Sequence, residues 1–248
     1  MSYTIVDVGA SKGEFVNFLN KLADIPALKI HAIEPISESL HRVSSNITKH
    51  NIGIGLKNET SSLNIYSNSE LSSFSKIKKD YDKNIWKHHA EGFNLKENRK
   101  IKVKTLEKFM IENSISEIDF LKVDIQGFDV DVIRSAKSSI NKIKSFVVEV
   151  SYGEQYKLYE KNNSIDDLLS FVNSNNFFIY RIIPNGAGEC NVFCINKDLE
   201  LDWFQRMEEL LKFDIAPCLK IDNFPKTNAE YIYSKIKQFS SLFNLNRQ

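Results

Sequence analysis

No apolar run in the sequence approaches the roughly 20 residues that cross a bilayer. The first residues, Met1-Ser2-Tyr3-Thr4-Ile5-Val6-Asp7, lack the basic start and apolar stretch of a secretory signal. A cytoplasmic location is therefore expected, with no transmembrane segment. Glycine and proline are scarce, at 9 and 5 of 248 residues, which excludes a collagen, a proline-rich linker and a low-complexity coat. An excess of one charge is missing too. Lys and Arg total 33 against 32 Asp and Glu, leaving +1, so there is no global pull toward polyanions, and nucleic acid is not expected as the main partner. Cysteine is sparse and odd in number: Cys190, Cys194 and Cys218 suit a reducing compartment. Cys190 and Cys194 stand four residues apart in an apparent strand, roughly 13 Å, too far for a disulfide or a shared metal ion. They read as small core residues.

What remains is ordinary globular composition, 42% hydrophobic and 26% charged, enough for one large core. Tyr3 to Val8 reads as a β-strand ending at Gly9-Ala10-Ser11-Lys12-Gly13. A helix follows through Phe15, Phe18, Leu19 and Leu22, and Pro26 stops it. Lys29 to Glu34 is a second strand. Pro35 and Ser37 then open a helix with apolar Leu40, Val43 and Ile47. Short strands cover Ile52 to Leu56 and Leu63 to Tyr66. From about Ser67 to Asn98 the chain is rich in Ser, Lys and Asn and weakly periodic, an irregular insertion that is either a lid or disordered. Regularity returns with a strand at Ile101 to Thr105 and a helix at Leu106 to Ile111. A buried strand runs from Ile118 to Asp124, followed by a helical stripe of Phe128, Val132, Ile133 and Ala136. Phe146 to Val150 is a strand and Ile165 to Asn173 a helix. Phe177 to Ile183 and Asn191 to Ile195 close the series as a hairpin. Residues 1–200 thus predict one α/β domain with a doubly wound, mostly parallel sheet and a terminal antiparallel hairpin. The hairpin is expected to put one antiparallel strand at the sheet edge. Residues 201–248 are expected to form a charged, helical C-terminal extension packing on the same domain.

In such a sheet, ligands bind beyond the carboxyl ends of the strands. Four strand ends here deliver acids: Asp7, Glu34, Asp124 and Glu149. Gly9 and Gly13 bracket a tight turn that lets backbone approach a ligand. Their G-x-x-x-G spacing matches neither the dinucleotide nor the phosphate-loop pattern. Asp7 beside that turn would repel a diphosphate and suits a ligand carrying positive charge, such as S-adenosylmethionine. Glu34 ends the second strand, where a carboxylate can accept hydrogen bonds from both hydroxyls of a ribose.

Asp7-Val8-Gly9-Ala10-Ser11-Lys12-Gly13, Ile33-Glu34-Pro35, Leu121-Lys122-Val123-Asp124-Ile125-Gln126-Gly127-Phe128-Asp129 and Val148-Glu149-Val150 together resemble the FkbM family of methyltransferases over about residues 4 to 196. Ser72-Ser73 resembles the paired serines before that family's variable loop. Ser11, Leu106-Glu107, Gln126 and Asp129 depart from the residues most usual at their positions. The resemblance implies a class I, Rossmann-like fold. It also implies methyl transfer from S-adenosylmethionine to a hydroxyl oxygen of a sugar or glycan, a glycolipid or a secondary metabolite. Cofactor-binding residues are then Asp7, Gly9, Ala10, Ser11, Gly13, Glu34, Pro35 and Asp124.

A positioned base assists an alcohol nucleophile. Asp124 is the first candidate for base or hydroxyl positioning and Glu149 the second. Lys122 shares a strand face with Asp124. It can hold Asp124 or Glu149 ionised, or lock their two strands together. Asp124 and Glu149 with a neighbour could take Mg²⁺, although no compact ligand motif is present and no metal is expected. His88 and His89, near Trp86 in the irregular insertion, read as surface residues or as a base carried by a lid. Tyr152, Tyr156 and Tyr159 follow Glu149 at helical spacing, either as packing or as an aromatic platform for a sugar ring. Two other functions share this architecture: a nucleotide-sugar or NAD-linked enzyme, and a non-catalytic methyltransferase-like binding protein. Oligomeric state is not legible in the sequence.

Overall fold

Successive side chains on a strand point to opposite sides of a sheet, and two separate cores record that alternation. The computed structural model describes residues 3–21, 28–185 and 188–199. Its elements are β1 (Tyr3–Val8), α1 (Glu14–Lys21), β2 (Leu28–Ile33), β3 (Thr48–His50), β4 (Gly53–Ile54), β5 (Glu59–Tyr66), α2 (Lys83–Trp86), β6 (Leu95–Lys104), α3 (Leu106–Glu112), β7 (Phe120–Val123), α4 (Asp129–Arg134), β8 (Ser145–Ser151), α5 (Ile165–Ser174), β9 (Phe177–Asn185) and β10 (Glu189–Asn196). A seven-stranded sheet has the order β3-β2-β1-β7-β8-β10-β9, and a smaller sheet has the order β4-β6-β5. The pairs from β3 through β8 are parallel, whereas β10 runs antiparallel to both β8 and β9. The class I, Rossmann-like sheet with a terminal antiparallel hairpin is therefore present. One detail differs from expectation: the reversed strand is β10, one place in from the edge, and β9 occupies the edge itself.

One core holds Val6, Val8, Leu121, Val123, Phe146, Val148, Cys190 and Cys194 together with Phe109, Ile133 and Leu168 from α3, α4 and α5. The opposite core holds Ile5, Phe120, Val147 and Phe193 with Phe15, Val16 and Leu19 of α1. Alternation then fixes where the polar residues go. Asp7 follows Ile5 on its strand, Lys122 follows Phe120, Glu149 follows Val147, and Asn191 precedes Phe193, each two residues apart. All four accordingly sit on the α1 side of the sheet. Register brings them together in pairs, Asp7 opposite Lys122 and Glu149 opposite Asn191. Cys190 and Cys194 are free thiols, fully enclosed in the other core.

Three local expectations change. The stripe Leu40, Val43 and Ile47 is buried, yet only Ser39–Arg42 is helical, as a 3-10 turn, and Val43 is extended. Asn17 on α1 accounts for this. Its Oδ1 accepts from Ser44 N–H at 2.9 Å and Ser44 O–H at 2.8 Å, and its Nδ2 donates to the Arg42 carbonyl at 2.9 Å. Those bonds take backbone groups that a continuing helix needs. The insertion at 67–98 is built rather than loose. It carries 3-10 turns at Ser69–Leu71 and Ala90–Phe93, helix α2, and the start of β6. Leu71 and Trp86 pack with Leu158 and Tyr159, flanked by Ile77, Tyr81, Ile85 and Phe93. Tyr152, Tyr156 and Tyr159 do not share a helix, since that stretch forms only the 3-10 turn Glu154–Tyr156. Pro26 and residues 201–248, Cys218 among them, lie outside the described residues. No helix among the described residues is long and apolar enough to cross a membrane.

Candidate functional site

The carboxyl ends of β1, β2, β7 and β8 open into one cleft. Its lining includes Asp7, Gly9, Ala10, Ser11, Glu34, Pro35, Lys122, Asp124 and Glu149, every expected site residue except Gly13. Gly13 instead faces Val43: a Cβ there would lie 2.6 Å from the valine side chain. Gly9 also serves the fold before any ligand. At φ +85°, an added Cβ would stand 1.8 Å from the Asp124 carbonyl oxygen, so this turn and the end of β7 touch only because the side chain is absent.

The hydrogen bonds of the turn decide what it can hold. Gly9 and Ala10 N–H both donate to the Ile33 carbonyl, at 2.9 and 3.0 Å, and Gly13 N–H donates to Ala10 at 2.7 Å. Ser11 N–H donates to Glu34 Oε2 at 2.9 Å. A diphosphate needs such donors turned outward, and here they point inward. Glu34 accepts a second backbone bond from Ile36 at 2.8 Å. Burial still pushes its carboxyl up to about 7, against the pull of those two N–H groups.

Lys122 is the buried cation of the site. It lies 3.3 Å from Asp7 and 3.5 Å from Asp124. The ion pair thus ties β7 to β1, and Glu149 is not one of its ion-pair partners as the sequence reading allowed. Burial works to lower the Lys122 pKa, but the carboxylates of Asp7, Asp124 and Glu149 outweigh it and leave the ammonium held above its ordinary value. Asp7 is raised by burial, with Lys122 opposing. Glu149 accepts from Asn185 Nδ2 and from Gln126 Nε2. Burial and the nearby Asp124 charge push it up to about 8. Asp124 is the exposed member, its side chain 38% accessible, and so the one best placed to meet a ligand.

The sequence reading missed the far wall. Asn185, Glu189 and Asn191 line the same cleft because the hairpin returns β10 beside Glu149. A buried Asn191 inside the apolar run Cys190-Asn191-Val192-Phe193 was the available signal. Glu189 is pushed well up by burial and by its acidic neighbours Glu149 and Asp124. At the mouth, Lys12 of the glycine turn pairs with Glu70 of the insertion at 3.2 Å. His88 and His89 are exposed; His89 borders the cleft beside Trp86. None of the three tyrosines lines it, and Tyr152 and Tyr159 are core residues. Among the described residues no three acidic, histidine or cysteine side chains converge as metal ligands.

A family model described as the methyltransferase FkbM domain matches residues 7–179. The chain belongs to the FkbM methyltransferase family. No curated protein matches it. Among solved structures, the FkbM methyltransferase of Methylobacillus flagellatus KT shares 18% identity at a TM-score of 0.45, over 77% of this chain and 43% of that one. A family 2 O-methyltransferase of Planctomyces limnophilus shares 8% at 0.40, over 78% and 49%. An S-adenosylmethionine-dependent methyltransferase of Aquifex aeolicus shares 10% at 0.33, over 78% and 82%. This FkbM domain thus spans less than half the length of the first two.

Proposed function

We propose that the cleft binds S-adenosylmethionine and that the protein methylates a hydroxyl oxygen of a small-molecule acceptor: a sugar or glycan, a glycolipid, or a secondary metabolite. One observation carries the reading. The glycine turn spends the N–H groups of Gly9, Ala10, Ser11 and Gly13 inside the protein, while the cleft it opens onto is lined by Asp7, Glu34, Asp124 and Glu149. That lining suits a cation and repels a diphosphate, which favours a sulfonium donor over NAD or a nucleotide sugar. Gly9, Ala10 and Ser11 would contact the donor through backbone and Glu34 would hold its ribose hydroxyls. When bound, the donor supplies an electrophilic methyl group on a positively charged sulfur. The acceptor hydroxyl gives up its proton to Asp124, with Glu149 the second candidate, as its oxygen attacks. Lys122, 3.5 Å away, fixes the Asp124 carboxylate at the cleft through their ion pair. The walls of the cleft align the acceptor and exclude water.

Calorimetry with S-adenosylhomocysteine, NAD and a nucleotide sugar tests the reading. Binding of the first alone is expected. A cleft that binds NAD or the nucleotide sugar and ignores S-adenosylhomocysteine overturns it.

A further inference from the structure

Gln126 stands in the Lys122–Asp129 segment with no role so far, yet it is among the most constrained residues of the site. It adopts φ +62°, the left-handed region that non-glycine residues rarely enter. Ser73, buried in the insertion, donates to the Gln126 carbonyl at 2.7 Å and so seats the backbone in that pose. Ser73 is itself fixed by the Ser75 N–H at 3.0 Å. The twist folds the side chain back over the end of β7. There Nε2 donates to Asp124 Oδ1 at 3.0 Å and to Glu149 Oε2 at 3.4 Å, while Oε1 lies 3.0 Å from the Tyr159 hydroxyl, whose one proton is shared with the Leu71 carbonyl at 2.8 Å. The reverse amide orientation would set Oε1 against both carboxylates.

We propose that Gln126 is a positioning residue. Its amide, seated by Ser73 and backed by Tyr159, ties Asp124 to Glu149 so that the two carboxylates accept the acceptor's proton as one unit. This rests on the methyl-transfer reading above. Two nearby carboxylates repel, and the Asp124 charge already raises Glu149. A neutral amide donating to both relieves the repulsion without adding charge, whereas Lys122 forms an ion pair with Asp124 alone of these two. In the step itself the carbon–oxygen bond forms as the carbon–sulfur bond breaks and its electron pair stays on sulfur. The hydroxyl proton passes to the Asp124–Glu149 pair and is later released to solvent.

The test compares the full chain with Gln126→Leu, Gln126→Glu and Tyr159→Phe. Side-chain carboxyl ¹³C titrations by NMR are followed, alongside calorimetry with S-adenosylhomocysteine. Removing the amide in Gln126→Leu is expected to move the Glu149 titration to higher pH by roughly one unit. Gln126→Glu, nearly the same shape with an added acid, shifts it in the same direction, and Tyr159→Phe shifts it less. S-adenosylhomocysteine affinity changes less than about threefold, because the amide acts on the acceptor side. With an acceptor in hand, the acid limb of kcat moves by the same amount while KM holds. Unshifted carboxyl titrations in Gln126→Leu and Gln126→Glu proteins that still bind S-adenosylhomocysteine overturn the proposal. If the unaltered chain does not bind S-adenosylhomocysteine, the methyl-transfer reading falls, even where the titrations still show the amide linking the two acids.

Discussion

Asp124 and Gly9 meet at one point, where the β1 turn presses against the carbonyl that ends β7, and substitutions there separate chemistry from folding. Asp124→Asn keeps the backbone contact and the shape. It is expected to lower turnover by about 10²–10⁴-fold in a protein that still binds S-adenosylhomocysteine. Turnover unchanged within a factor of two would remove Asp124 as the base. Gly9→Ala acts on the fold, because its methyl group collides with backbone and the residue must hold a positive φ. A loss of at least about 2 kcal/mol is expected from strain and displacement together, read as a drop in the denaturant midpoint. The acidic strand ends Asp7, Glu34, Asp124 and Glu149 were legible because each closes an apolar run. What the run of letters does not carry is the inward aim of the turn's N–H groups, which exists only once β2 lies alongside. Glu189 and Asn185 escaped for a related reason: a hairpin brings them in, and no nearby motif announces it.

At the level of elements, Asn17 shows how one side chain can overrule a periodic pattern. The spacing of Leu40, Val43 and Ile47 predicts a helix, and all three are indeed buried, but three bonds from Asn17 capture Arg42 and Ser44. Asn17→Ala is expected to cost about 0.5–1.5 kcal/mol, because those groups are partly open to water and exchange these bonds for solvent ones. Faster hydrogen exchange at Ser44 would accompany the loss, and exchange no faster than in the unaltered chain would refute this account. Six of the seven strands of the large sheet were read within a few residues of their true ends, since buried strands announce themselves as apolar runs; the seventh, the three-residue edge strand β3 (Thr48–His50), is polar and was not read. The insertion was not legible in that way. Its anchors Leu71 and Trp86 find their partners at Leu158 and Tyr159, too far along the chain for local periodicity to register.

For the molecule as a whole, the acidity of the cleft sets a pH dependence with a definite sign. Glu34 and Glu149 are raised from an ordinary 4.5 to about 7 and about 8. An acid raised in the folded state contributes most below its unfolded value, and that contribution is lost as pH climbs through the folded one. The ligand-free protein should therefore lose stability from this source between about pH 5 and pH 8.5, as thermal melts across that range would show. A cation entering the cleft draws the same protons off. S-adenosylmethionine binding is thus expected to strengthen over this window and to release protons, and S-adenosylhomocysteine, lacking the sulfonium charge, to gain less. Calorimetry in two buffers of different ionisation enthalpy counts those protons, and a count of zero near pH 7 would remove the electrostatic case. The doubly wound sheet and its hairpin were visible in the sequence as a rhythm of elements; the shared face of Asp7, Lys122, Glu149 and Asn191 needed registers that only pairing supplies. Ser73 has one more implication, for engineering. The stretch carrying it lines the cleft and also props Gln126 beside Asp124 and Glu149, so it is not a freely exchangeable module. A chimaera that transplants this stretch from another enzyme to alter selectivity must import an equivalent hydroxyl, or it will trade recognition against rate.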